Sequence, residues 1–215
     1  MPSSASVAVG TPLQPAVVYS SPDADALDDQ YEGRASGYTY AREGHPNADV
    51  VAAKIDALEA SPTQGIMLGS GMGAISAVFL GLLKSGDHIV AGDQLYGRSL
   101  RLLTQDLPRF GIECTFVDAG DAANVAAAMR PETKLVMVEV VSNPTLRIAD
   151  IDGIAAVIAQ HDNALLMLDN TFTTPRAIRA YDHGADVVVH SVTKLLAGHS
   201  DVTLGYVSVA DPTLR

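Results

Sequence analysis

The chain is organised around residues 187–194, which read VVVHSVTK. Three consecutive valines are typical of a strand buried on both faces. The stretch then places Ser191, Thr193 and Lys194 where such a strand would end. We expect Lys194 to be withdrawn from water, because burial disfavours the charged ammonium and prepares a lysine to form a Schiff base. The stretch alone leaves open the alternative of a surface lysine in an ordinary loop.

Strand-like and helical segments alternate along most of the chain. Apolar runs predict strands at residues 65–68, 87–91, 113–117, 135–141, 164–168, 187–191 and 205–209. Helices are predicted between them at residues 74–84, 97–107, 122–129, 151–160 and 175–181. This alternation predicts a three-layer α/β fold with a mixed, mostly parallel seven-stranded sheet. The last strand follows its predecessor through a loop too short for a helical crossover, so we expect it to be antiparallel.

Residues 1–47 lack this regularity and are predicted to form an N-terminal arm. They are rich in Ser, Pro, Asp and Gly, so we expect an extended arm with short structured pieces that does not fold on itself. Asn47 is predicted to cap the helix that follows. Residues 48–215 would form one large domain, because no repeat or low-complexity linker divides them. Tyr40 and Arg42 make the arm a candidate for contact with another surface, with a solvated loop as the alternative.

Composition and charge exclude several classes of function. The formal net charge is −11 and the sequence pI is about 4.7, which opposes binding to nucleic acid. The single cysteine, Cys114, cannot form an intrachain disulfide, so we expect a cytoplasmic protein. Apolar runs fall short of the roughly 18 residues of a membrane span, and the start does not resemble a secretory signal. The six histidines show no ligand spacing, so no metal is predicted.

Residues 70–72, which read Ser-Gly-Met, form a candidate anion site. They precede a predicted helix, whose free N–H groups and dipole favour an anion, and the glycine lets a phosphate approach the main chain. The stretch is neither the dinucleotide fingerprint nor a Walker loop. A glycine turn chosen for tight strand-to-helix packing is the alternative.

Asp169 follows the predicted strand 164–168, one crossover before the strand that leads to Lys194. Both side chains are therefore expected in one crevice at the carboxyl ends of the strands. Pyridoxal phosphate chemistry requires a lysine, an acid that keeps the pyridine nitrogen protonated and a cradle for the phosphate. Lys194, Asp169 and residues 70–72 supply one of each. A helix cap, or a carboxylate bound to backbone amides, is the alternative for Asp169.

Six stretches resemble the pyridoxal phosphate enzymes of cysteine and methionine metabolism, the group of cystathionine γ-synthase, cystathionine γ-lyase and methionine γ-lyase. They occur in family order across nearly the whole chain. They are YTYAREGHP (38–46), SGMGAI (70–75), DQLYG (93–97), EVVSNPTL (139–146), LDNTFTTP (168–175) and HSVTKLLAGHSD (190–201).

The resemblance implies a role for individual residues. Lys194 would be the lysine that binds the cofactor, and Asp169 would be the partner of the pyridine nitrogen. Tyr96 would stack on the ring and act on leaving groups, and Asn143 would lie near the ring hydroxyl. The phosphate would be held by Ser70, Gly71, Met72, Ser191 and Thr193. Tyr40 and Arg42 resemble a pair that reaches this phosphate from a neighbouring subunit of a homodimer or homotetramer, and the planar fork of Arg suits two phosphate oxygens.

The resemblance also implies a reaction. We expect trans-sulfuration, by γ-elimination or γ-replacement on a small homoserine- or cystathionine-type amino acid. Family members are nearly twice as long, so we expect this chain to carry the cofactor domain without the C-terminal substrate domain. The alternatives are a catalytically incompetent cofactor-binding or interaction fragment of such an enzyme and, less favoured, an aminotransferase.

Overall fold

A computed structural model describes residues 9–215 of the chain, so the first eight residues of the predicted arm lie outside the described residues. The chain divides into two compact units between Val51 and Ala52. The α-helices of the described part are α1 (Ala24–Tyr31), α2 (Pro46–Glu59), α3 (Gly71–Leu82), α4 (Gly97–Arg101), α5 (Ala122–Ala128), α6 (Ile151–Ile158) and α7 (Thr174–Ala177). The strands are β1 (Ile66–Leu68), β2 (His88–Gly92), β3 (Glu113–Val117), β4 (Thr133–Glu139), β5 (Leu165–Asp169), β6 (Val187–His190) and β7 (Gly205–Val209).

The second unit is built on one seven-stranded sheet with the order β1-β7-β6-β5-β4-β2-β3. Strands β2 to β6 pair in parallel with one another, while β7 is antiparallel to both of its neighbours. The prediction of a mixed, mostly parallel sheet is therefore confirmed, and so is the antiparallel last strand. Because β2 to β6 run in the same direction, their carboxyl ends meet at one edge of the sheet.

Apolar side chains cover both faces of this sheet. In β4, Leu135 and Met137 pack in one cluster with α3, whereas Val136 and Val138 pack in a second cluster with α6. This alternation follows from the strand period of two, which points successive side chains to opposite faces. Helices on both faces make the unit three-layered, as the sequence predicted.

Several boundaries differ from the prediction. Strand β4 ends at Glu139, two residues earlier than expected, and β5 includes Asp169 as its last residue. The predicted helix 97–107 is α-helical only to Arg101, after which a π-helical segment (Leu102–Asp106) and a 3₁₀ turn (Leu107–Phe110) follow. None of the helices within residues 9–215 is long and apolar enough to cross a membrane.

The first unit is less extended than the sequence suggested. Val18 and Tyr40 form an antiparallel bridge, and the rings of Tyr19 and Tyr38 lie 5.7 Å apart, so the expectation that the arm does not fold on itself is wrong. The predicted cap at Asn47 is also wrong. Helix α2 already begins at Pro46, and the Asn47 side chain instead accepts the Gln14 N–H at 2.8 Å and donates to the Pro12 carbonyl at 3.0 Å. The Asn47 side chain therefore holds residues 12–14 of the first unit instead of capping α2.

Candidate active site

A cavity of about 360 Å³ lies at the carboxyl ends of the parallel strands in the second unit. The topology brings residues that are far apart in sequence to this edge of the sheet. Nine of the sequence-predicted site residues line it: Ser70, Gly71, Met72, Tyr96, Asn143, Asp169, Ser191, Thr193 and Lys194. The structure therefore brings together every predicted site residue of this unit.

Lys194 lies in a turn four residues beyond the end of β6. Its N–H donates to the Ser191 carbonyl at 3.0 Å, and its carbonyl accepts the Gly198 N–H at 2.9 Å, so the backbone is fixed on both sides. The side chain is exposed, which makes the expectation of a lysine withdrawn from water wrong for the chain alone. The turn carries Lys194 past the buried strand to the rim of the cavity, where the described residues do not cover its amine.

Asp169 is the last residue of β5 and lines the cavity at the carboxyl end of that strand. Its Oδ1 accepts the Thr171 N–H at 3.0 Å. Burial raises the pKa of this carboxyl group, while hydrogen bonds from Thr171 and the nearby His190 act in the opposite direction. Among the described residues, no lysine or arginine forms an ion pair with Asp169. The site thus contains a buried acid whose charged form would be stabilised by a cationic partner.

The N-terminus of α3 faces the same cavity. Ser70 caps this helix, because its Oγ accepts the Gly73 N–H at 3.0 Å and its carbonyl accepts the Ala74 N–H at 3.0 Å. The N–H groups of Gly71 and Met72 belong to the first turn, where no intrahelical acceptor exists. A Cβ at Gly71 would lie 2.6 Å from the Ser191 Cβ, so the glycine permits the close approach of the loop after β6.

The two hydroxyls near Lys194 differ in how they are used within the chain. Ser191 donates its backbone N–H to the Thr171 Oγ1 at 2.8 Å. Its hydroxyl group makes no hydrogen bond among the described residues, and the residue lines the cavity. Thr193 Oγ1 accepts the Leu204 N–H at 2.9 Å and donates to the Leu204 carbonyl at 3.2 Å. Thr193 would have to give up this donated bond in order to donate to an anion.

Glu139 is a site residue that the sequence prediction missed. It ends β4 and lines the cavity beside Asp169, with which it is in register in the adjacent strand. Its Oε1 accepts the Tyr96 N–H at 2.6 Å, and its Oε2 accepts the Asn143 N–H at 3.2 Å. Burial and, second, the charge of Asp169 raise the pKa of Glu139 to about 7, against the effect of these two N–H groups. The available signal was an acidic residue within an apolar run.

Tyr40 and Arg42 belong to the first unit, whereas the residues that line the cavity belong to the second. The Arg42 guanidinium carbon lies 4.9 Å from the centroid of the Tyr40 ring, and Arg42 Nε donates to Glu43 at 3.1 Å. The Arg42 side chain is 76% exposed. The Arg42 guanidinium group and the Tyr40 ring are therefore in contact with each other and accessible to solvent.

His190 belongs to a buried network with two other side chains. Its Nε2 lies 2.5 Å from Glu59 Oε1, and Asn170 donates its side-chain amide to the same oxygen at 2.8 Å. All three side chains are buried. Within residues 9–215 there is no cluster of three His, Cys, Asp or Glu residues suited to a metal ion. This network anchors the end of α2 beneath β5 and β6.

Comparisons with known proteins identify the family of this chain. The sequence model of the Cys/Met metabolism PLP-dependent enzymes matches residues 2–215. The chain is 46% identical to cystathionine beta-lyase MetC of Bacillus subtilis, with 82% of this chain and 45% of MetC covered. It is 41% identical to a cystathionine gamma-lyase of the same organism, with 96% of this chain and 52% of that enzyme covered.

A solved structure of similar fold carries the cofactor. It is metY of Campylobacter jejuni, assigned as an O-acetylhomoserine (thiol)-lyase, with an N'-pyridoxyl-lysine-5'-monophosphate. The TM-score is 0.90 at 28% identity, with 95% of this chain and 50% of that chain covered. This chain belongs to the family of pyridoxal phosphate-dependent enzymes of cysteine and methionine metabolism, as its sequence motifs predicted. It spans about half the length of the curated relatives it matches.

The residues around the cavity fit pyridoxal phosphate. The first-turn N–H groups of α3 and the Ser191 hydroxyl offer donors of the kind that bind phosphate. Asp169 offers a buried carboxyl group without an ion-pair partner among the described residues, which a protonated pyridine nitrogen would satisfy. Lys194 offers an accessible amine on the same cavity. Lysine, acid and anion donors therefore converge on one space.

Proposed function

We propose that the protein containing this chain catalyses γ-elimination or γ-replacement on a small amino acid of the homoserine or cystathionine type, with pyridoxal phosphate as cofactor. The observation that carries this proposal is the convergence of Lys194, Asp169 and the N-terminus of α3 on one cavity. Relatives named cystathionine gamma-lyase and O-acetylhomoserine (thiol)-lyase support the substrate class. Because the chain spans about half the length of its curated relatives, the proposal concerns the whole protein's activity.

Each residue would contribute to holding the cofactor. Lys194 would carry it covalently, Asp169 would pair with the pyridine nitrogen, and Tyr96 and Asn143 would contact the ring. The phosphate would be bound by Ser70, Gly71, Met72, Ser191 and Thr193. The bound cofactor supplies an electron sink that stabilises negative charge developing on the substrate.

The protons would be moved by residues of this chain. The Nζ of Lys194 would take a proton from the substrate α-carbon and deliver it to a neighbouring carbon. The phenol of Tyr96, whose side chain is 46% exposed at the cavity, would act at the leaving sulfur or oxygen. The buried carboxyl group of Asp169 would keep the pyridine nitrogen protonated throughout.

The proposal extends to the assembly and location of the protein. Tyr40 and Arg42 would reach the phosphate of a neighbouring subunit in a homodimer or homotetramer, which their exposure and mutual stacking support. A cytoplasmic location is supported by the lone cysteine, Cys114, and the charge of −11 argues against nucleic acid as a partner. We place no membrane partner in the proposal.

Product analysis tests the reaction type. Cystathionine and an O-acylated homoserine would each be incubated with the protein and pyridoxal phosphate, and the 2-oxo acids separated by mass. Elimination at the γ-carbon gives a four-carbon 2-oxo acid, whereas elimination at the β-carbon of cystathionine gives a three-carbon one. We expect the four-carbon product, or a thioether when a thiol is added to the O-acylated homoserine. A three-carbon product alone, or an aminated cofactor with transfer of the amino group, would contradict the proposal.

A further inference from the structure

Glu139 links the two segments that carry the ring-contacting residues proposed above. One carboxyl oxygen accepts the Tyr96 N–H, which precedes α4, and the other accepts the Asn143 N–H, which follows β4. The two segments lie 47 residues apart in sequence, and the carboxyl group of Glu139 bonds to the backbone of both. A single side chain thus fixes the backbone on which Tyr96 and Asn143 project into the cavity.

This arrangement depends on which oxygens of Glu139 can accept. An ionised carboxylate accepts hydrogen bonds at both oxygens, so it satisfies both N–H groups at once. A protonated carboxyl group carries an O–H on one oxygen, which then faces an N–H as a donor. One of the two backbone hydrogen bonds would therefore weaken on protonation, and one of the two segments would loosen.

The surroundings of Glu139 bring this change within the range of cellular pH. Burial is the main cause that raises the pKa of Glu139 to about 7, and Asp169 on the adjacent strand β5 adds to it. Lys194 and Tyr96 line the same cavity. On the other side of Glu139, Asp93, Asp118 and Arg147 line a neighbouring cleft, where Arg147 Nη1 lies 3.8 Å from Asp93 and 3.4 Å from Asp118. Arg147, the cation of this cleft, therefore lies within ion-pair distance of two other carboxylates.

We propose that Glu139 is a positioning residue of this site. In its ionised form it holds the backbone segments of Tyr96 and Asn143 in place at the cavity, and in its protonated form it releases one of them. This inference rests on the proposed function only for the roles of Tyr96 and Asn143. The two hydrogen bonds from the Tyr96 and Asn143 N–H groups to Glu139, here called the clamp, are present in the chain without cofactor.

Hydrogen exchange of the chain without cofactor tests the clamp directly. In the unsubstituted protein, protection of at least one of the Tyr96 and Asn143 amides should fall, after correction for intrinsic rates, as the pH is lowered through about 7. Glu139→Gln replaces one acceptor by an NH₂ group, so at least one of these amides should lose protection roughly 10- to 100-fold at pH 8, without a transition near pH 7. Glu132→Gln, at an exposed position before β4, is the matched control and should match the unsubstituted protein.

Cofactor binding gives the second readout. In Glu139→Gln, borohydride should still trap pyridoxal phosphate on Lys194, but the pH dependence of the cofactor absorbance should lose its component near 7, and Glu139→Asp should restore part of it. Unchanged protection of both amides in Glu139→Gln and across pH 6 to 8 would overturn the clamp, whatever the cofactor does. Absence of any adduct on Lys194 in the unsubstituted protein would instead overturn the proposed function, while the exchange result would still decide the clamp.

Discussion

Asp169 is a residue whose presence costs stability. Burial raises the pKa of its carboxyl group, and the neighbouring Glu139 is a second acid in register with it. A raised pKa means that the folded state binds the proton more tightly than the unfolded state does, so the contribution of Asp169 favours folding only at low pH and is lost as the pH rises to the pKa of the folded state. The ionised form of Asp169 is therefore less favourable in the folded chain than in the unfolded chain. Such a cost is typical of a residue retained for binding.

Replacement of this carboxyl group should separate stability from binding. Asp169→Asn keeps an oxygen that can accept the Thr171 N–H, and it removes the charge, so the free energy of unfolding without cofactor should rise by about 1 kcal/mol at pH 7. The affinity for pyridoxal phosphate should fall roughly 30-fold or more, because the pyridine nitrogen loses its charged partner. Urea unfolding and absorbance titration measure the two effects, with Asp162→Asn at an exposed position as control. A loss of stability together with unchanged affinity would contradict the role given to Asp169.

Site residues that directly follow or end an apolar run in the sequence were predicted, whereas a site residue inside such a run was missed. Asp169 and Lys194 stand just at or after apolar runs, so the topology of a parallel sheet placed both at one edge. Glu139 was missed because the apolar run continues through Val140 and Val141, which made the glutamate look internal to a strand. The exposure of Lys194 was not predictable, since the burial of a side chain after a strand depends on where the following turn carries it.

At the scale of elements, the site depends on how closely α3 approaches the loop after β6. A Cβ at position 71 would lie 2.6 Å from the Ser191 Cβ and 2.9 Å from its Cα, so only a glycine fits without displacing that backbone. Ser191 is two residues from Thr193 and three from Lys194. A shift of the loop would thus move the proposed phosphate ligands together with the lysine.

A pair of glycine substitutions in the same helix tests this packing. Gly71→Ala should lower the free energy of unfolding by about 1–3 kcal/mol through overpacking, and should weaken cofactor binding as well. Gly81→Ala is the control, because nothing lies within 4 Å of its added Cβ, and it should stabilise the protein by about 0.5–1 kcal/mol. Chemical unfolding of both variants checks the sign. Equal effects of the two substitutions would show that the close approach at Gly71 is not what fixes the loop.

The elements themselves were largely readable from the sequence where apolar runs are short and bounded. Strands β3 and β7 have the predicted limits, and α5 begins at the predicted residue under an Asp121 cap. The change to π-helix after Arg101 was not predictable, because the sequence shows only a helical pattern that Pro108 interrupts. Helix α1 was missed, although Asp23 accepts the Ala26 N–H as its cap, because its eight residues bury no side chain.

At the scale of the whole molecule, the fold of the second unit was predictable because strand-like and helical segments alternate along it. The first unit was harder, since its bridge between Val18 and Tyr40 follows from no apolar period. Under the proposal, its exposed pair, Tyr40 and Arg42, acts on the site of another subunit. The proposed assembly therefore predicts that a complete site needs Arg42 from one subunit and Lys194 from another.

Mixed oligomers test whether Arg42 acts across an interface. Arg42→Ala and Lys194→Ala would each lack a functional site, but a mixed dimer would contain one site with both native residues. After denaturation and refolding together, we expect cofactor binding on about a quarter of the sites. Arg34→Ala, at another exposed arginine of the first unit, should retain full binding and serves as control. No recovery in the mixture, with both parents refolding normally, would place Arg42 and Lys194 in the same subunit. Full binding by Arg42→Ala alone would remove Arg42 from the site.

The most direct test of the account is the location of the covalent cofactor. The protein would be incubated with pyridoxal phosphate, reduced with borohydride and digested, and the modified peptide sequenced by mass spectrometry. The account predicts a near-visible absorbance band that borohydride abolishes and one stoichiometric adduct, on Lys194. The adduct should disappear in Lys194→Ala and persist in Lys84→Arg, because Lys84 has an 81% exposed side chain and is not among the residues that line the cavity. An adduct on Lys54, Lys84 or Lys134 instead, or a band that survives in Lys194→Ala, would contradict it.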